Sequence, residues 1–78
     1  MPLYFFNIRD ELFTPDEEGE ELPDLEAAKV RATEFALVMV AVSVAEGQHI
    51  DPNHRIEVTD QTKTVLFTVT FGDVIKAD

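Results

Sequence analysis

His49 and His54 stand either side of Asp51, and two imidazoles with a carboxylate are a donor set that zinc accepts. Their spacing matches no known zinc signature, and Pro52 places the group in a loop, so structural or solvated histidines are the better reading. Ser43 is the one serine, so a Ser–His–Asp site would have to use it. It lies in an apolar run without the glycine-flanked turn that exposes a nucleophile, and a packing role fits it better. The acidic run Asp16–Glu21 is the remaining suspect, as a calcium loop. Aligned on Gly19, the twelve-residue pattern would need ligands at Thr14 and Leu25, which offer none of the required carboxylates. With no cysteine and three scattered glycines, thiolate chemistry and a glycine-rich phosphate loop are excluded as well. The sequence therefore predicts no catalytic residues, no metal site and no cofactor.

Charge narrows the choice of partner. The chain has 16 acids against 6 bases, a net charge of −10, which argues against nucleic acid and anionic membrane as direct partners. The charge is also uneven: nine of the acids fall between Asp10 and Glu26 with no base among them, leaving seven acids and six bases elsewhere. Asp16, Glu17, Glu18, Glu20 and Glu21 form the densest patch, read either as a solvated face or as a surface for a basic protein. Met1–Phe6 lacks the basic start of a secretory signal, and the most apolar run, Ala36–Ala45, is about half the length that spans a bilayer. A cytoplasmic protein is expected.

The elements that must position these residues centre on one long helix, Leu22 to Gly47. Asp24 after Pro23 can cap its start, Glu26 suits the positive end of its dipole, and Gly47 supplies a left-handed stop. Before it, Leu3–Arg9 alternates as a strand, and Leu12–Phe13–Thr14 pairs back as a brief second one before Pro15. After it, Arg55–Thr59 and Thr64–Phe71 read as two strands joined at Asp60–Lys63, followed by a short tail from Val74 to Asp78. The expected fold is a single α+β domain over residues 1–78. It is a two-layer sandwich in the order β-β-α-β-β, with one helix on a three- to four-stranded antiparallel sheet.

Within the helix, Leu25, Ala28, Ala32, Phe35, Ala36, Met39 and Val42 recur at helical spacing as the core face. The second half is apolar all round, and one sheet covers only one side of a helix. Either the valines at 38, 40, 42 and 44 form a strand, or Leu37, Val40, Ala41 and Val44 meet a second subunit or another protein. The capped, glycine-stopped frame favours the second reading.

Tyr4–Phe6, Arg9–Asp10, the stretch Gly19-x-Glu21-Leu22-Pro23-Asp24-Leu25-x-Ala27-Ala28, Arg55–Val58 and Val65–Phe71 together carry a resemblance. They resemble a family of short alphaproteobacterial, rhizobial-type domains of unknown function. That resemblance implies a small cytoplasmic α+β domain and brings no catalytic residues; the family is usually charged where this chain has its valine run. The layout is also similar to the antitoxin of the HicAB toxin–antitoxin pair, without its glycine-cysteine and its DNA-binding tail. The expected function is a non-enzymatic interaction module, a homodimer through the outer helix face. The alternative is an acidic antitoxin-like inhibitor that binds a basic partner through residues 10–26.

Overall fold

The computed structural model describes residues 1–75, and Lys76 to Asp78 of the expected tail lie outside the described residues. The elements run β1 (Leu3–Arg9), β2 (Phe13–Thr14), β3 (Glu20–Glu21), α1 (Leu25–Ala45), β4 (Arg55–Thr59), β5 (Val65–Thr70) and α2 (Phe71–Ile75). The strands form one five-stranded antiparallel sheet in the order β2-β1-β4-β5, with β3 pairing β1 further along the edge that β2 occupies. The α+β architecture and its β-β-α-β-β skeleton are as the sequence predicts. Two elements were not foreseen, β3 and α2.

Helix α1 forms where its caps dictate. The Asp24 carboxylate accepts the Ala27 N–H at 2.9 Å, so the helix begins at Leu25 and Leu22–Pro23 stay outside it. At the other end Gly47 adopts φ +72°, and the N–H groups of Gly47 and Gln48 donate to Val44 and Ser43. The valine run is helical throughout, which removes the strand alternative for it.

The helix lies over β4 and β5. It approaches on three alanines, Ala28, Ala32 and Ala36, all fully buried, against Tyr4, Phe6, Ile56, Val58, Val69 and Phe71. Alanine sets the face because only a methyl group lets a helix backbone come this near a sheet; larger side chains are displaced to the flanks. The core row then follows helical spacing from Ala36 to Met39 and Val40, which pack half-buried against the cluster. Two expectations are corrected by this. Val40, read as outward-facing, turns towards the core, and Val42, read as core, is half exposed.

Helix α2 replaces the expected strand end and tail. Thr70 and Asp73 cap each other: the Asp73 N–H donates to Thr70 Oγ1 at 3.1 Å, and the Thr70 N–H donates to Asp73 Oδ2 at 3.2 Å. The turn swings Phe71 into the core, with Val74 packed beside it.

Candidate functional site

Three contacts fix how α1 is rotated on the sheet. Phe35 meets Phe6 of β1 edge-to-face at 5.3 Å, and Arg31 grips Glu20 of β3 through two hydrogen bonds of 3.0 Å. On the opposite flank Lys29 stands over the ring of Phe67 in β5 at 5.1 Å. At 3.6 residues per turn, the flank of Arg31 and Phe35 continues through Val38 and Val42, on the β1 side. The flank of Lys29 continues through Leu37 and Val44, on the β5 side, with Val40 at its inner margin and Ala41 on the back of the helix, opposite Ala32. Leu37 is 49% exposed, Val38 61%, Val42 50% and Val44 62%, and Ala41 is exposed between them. No charged side chain interrupts α1 from Leu37 to Ala45. On a small chain, an apolar surface this concentrated is the feature that stands out.

The acidic segment is more structural than its composition implies. Asp16 accepts the Phe6 N–H at 3.1 Å with one carboxylate oxygen and the N–H groups of Glu18 and Gly19 with the other. Its own N–H donates to Asn7 Oδ1 at 2.9 Å, and the buried Asn7 amide donates in turn to the Glu57 carbonyl and Thr59 Oγ1. Gly19 closes the turn at φ +74°, where a Cβ would lie 2.9 Å from the Phe5 ring. Glu20 is held by Arg31, and this pairing, the hydrogen bond first, raises the Arg31 pKa above its ordinary value. Of the predicted acidic patch, Glu17, Glu18 and Glu21 face solvent, while Asp16 and Glu20 serve the fold.

The sheet face away from the helix carries a shallow concavity of about 600 Å³ that includes Phe5, Asn7, Arg9, Phe13, Glu57 and Val65. Glu57 sits between Arg9 and Arg55 at 3.2 Å from each, and Arg9 also stacks on Phe13 at 4.3 Å. Arg9 and Glu57 are thus already partnered within the chain, while Glu17 and Lys63 line the same concavity. Sequence reasoning missed this face because its residues come from β1, β2, β4 and β5, which only the strand order brings together.

His54 lies 3.5 Å from Asp51 and edge-on to Phe71, while His49 is exposed. Ser43 is half-buried on the helix. Among the described residues, no group of three His, Asp or Glu side chains is placed to hold a metal ion, and no helix is long and apolar enough to cross a membrane.

No curated protein and no solved structure matches the chain. A family described as a domain of unknown function, DUF6894, matches residues 3–72, and the chain belongs to that family.

Proposed function

We propose that this chain is a small, cytoplasmic, non-enzymatic interaction module, one domain in itself, that self-associates through the apolar outer side of α1. The observation that carries the reading is the uncharged run Leu37–Ala45, on which Leu37, Ala41 and Val44 stand exposed in a row. Burying such side chains yields roughly 25 cal/mol per Å² of apolar surface, and a chain this short has little other core to draw on. Val40 supports the row from beneath.

The test is the mass of the full chain by sedimentation, against Leu37→Glu combined with Val44→Glu. Both positions are surface positions, so the variant keeps its fold by circular dichroism and sediments as a monomer, whereas the parent sediments as a dimer. Salt sharpens the test. Two copies of a −10 chain repel, so screening strengthens their association. A parent that stays monomeric at every concentration and salt overturns the reading.

A second reading, the antitoxin-like inhibitor, draws on Glu17, Glu18 and Glu21, exposed together beside the β1 edge. Binding of that kind to a basic protein weakens as salt rises, the opposite sign.

A further inference from the structure

We infer that the second copy docks by pairing its β5 edge antiparallel with the β5 edge of the first. The two sheets join into one, and the Leu37 and Val44 flanks meet above the joint, with Ala41 behind them. This rests on the self-association reading and names the surface that completes it.

The sheet treats its two edges differently. In β1 the Phe6 N–H points away from β4, since it donates to Asp16; strand alternation then turns Tyr4, Phe6 and Ile8 outward together. Each of those positions is covered: Tyr4 pairs with Glu20, Ile8 pairs with Thr14, and the Asp16 carboxylate fills the gap between. The register carried across β4 points Phe67 and Val69 at β4 and leaves Thr68 and Thr70 facing out. Asp73 takes the Thr70 N–H, which agrees with that alternation. Among the described residues, nothing takes the Thr68 N–H, and no strand lies beyond β5.

An open edge is ordinarily blunted by lysine, proline or an inward charge. Val65–Thr70 contains none of these. Leu66 and Val65 stand exposed on it, at the bulge where β5 passes Thr59.

Charge chooses the occupant. Seven acids, from Asp10 to Glu21, are gathered on the β1 side, with β2, β3 and the Asp16 turn. The strand β5 itself and α1 from Leu37 to Ala45 carry no charge; near them Glu26 is paired with Lys29, and Asp73 is bound to the Thr70 N–H. A second copy approaching β5 meets an edge whose own strand is uncharged and whose adjacent acid, Asp73, is bound to the Thr70 N–H, with both acid-rich β1 edges as far apart as the sheet allows. The same flank of α1 leans towards β5, as the Lys29–Phe67 contact shows, so one two-fold axis brings strand to strand and helix to helix. A self-complementary strand and a self-complementary apolar row on one side of the molecule fit a copy of this chain.

The direct probe is amide hydrogen exchange of the unmodified chain at low and high protein concentration. Edge pairing slows the Thr68 amide by about tenfold or more as the dimer fills, because no bond among the described residues protects it. Thr68→Pro removes that donor without touching the β4 ladder, a placement proline tolerates on an edge, and it sediments as a monomer. If the proline variant fails to fold, Leu66→Lys does the same work by placing like charges across the joint. A dimer in which Thr68 exchanges freely, and which survives both edge variants but not the Leu37/Val44 variant, overturns edge pairing and leaves the helix-face reading standing. A dimer lost in the edge variants but kept in the helix variant supports the edge and overturns the helix face. A parent that is monomeric throughout overturns both.

Discussion

Replacing Asp16 by alanine tests whether one carboxylate holds the β1 edge closed. The side chain accepts three backbone N–H groups, and they are not equivalent. The Phe6 N–H lies part-buried within the sheet edge, so losing its acceptor costs about 1–3 kcal/mol. The Glu18 and Gly19 donors lie on the turn, where water replaces the lost acceptor, so each adds only a few tenths. The sum is about 2–3 kcal/mol, which at roughly 4–8 °C per kcal/mol for a chain of this size lowers Tm by about 10–20 °C. Urea titration followed by circular dichroism measures it, at one fixed protein concentration so that association does not enter the comparison. Asp16→Asn, which keeps one oxygen acceptor, falls between the parent and the alanine variant. A loss below about 0.5 kcal/mol for Asp16→Ala refutes the reasoning, because it means that water reaches the Phe6 amide freely.

The fold makes two further predictions. Ala32→Leu forces a larger side chain between α1 and the sheet at a fully buried site and costs about 1–3 kcal/mol or more in the same titration. Asp60 titrates below its ordinary range, first because Thr62 Oγ1 hydrogen-bonds it and then because the Thr64 N–H does. A lowered carboxylate pKa stabilises the folded state above the ordinary carboxylate range and loses that stabilisation as pH falls through it. Melts across pH therefore show Asp60→Ala less stable than the parent at neutral pH, with the difference closing in acid.

What was legible in the sequence is what local rules decide. Asp24 and Gly47 marked the ends of α1 because capping is settled within a few residues, and β1, β4 and β5 announced themselves by alternation. The strand β3 gave no signal, since two glutamates pair with Leu3 and Tyr4 only because the Asp16 turn delivers them there. Thr70-x-x-Asp73 is a readable capping pattern, but Phe71 also continues the alternation of β5, and the two signals compete at the same residues. Val40 and Val42 exchanged places for a different reason. Where a helix is apolar on every side, hydrophobicity points nowhere, and the face is set by which residues are small enough to touch the sheet. Asp16 could not be singled out from its acidic neighbours, because its role lies in a bond to a strand ten residues earlier.

The closed β1 edge sets how far any assembly of this chain can grow. In polymerisation terms a unit with one reactive end stops at a pair, whereas a unit with two such ends adds without limit and becomes a fibre. Phe13–Thr14, Asp16 and Glu20–Glu21 together cover the β1 edge, so under the proposed β5 pairing this sheet has a functionality of one. The acidic turn would then be a chain terminator: two strands of two residues each and one carboxylate, all at one edge, would stop an assembly built through β5 at a pair.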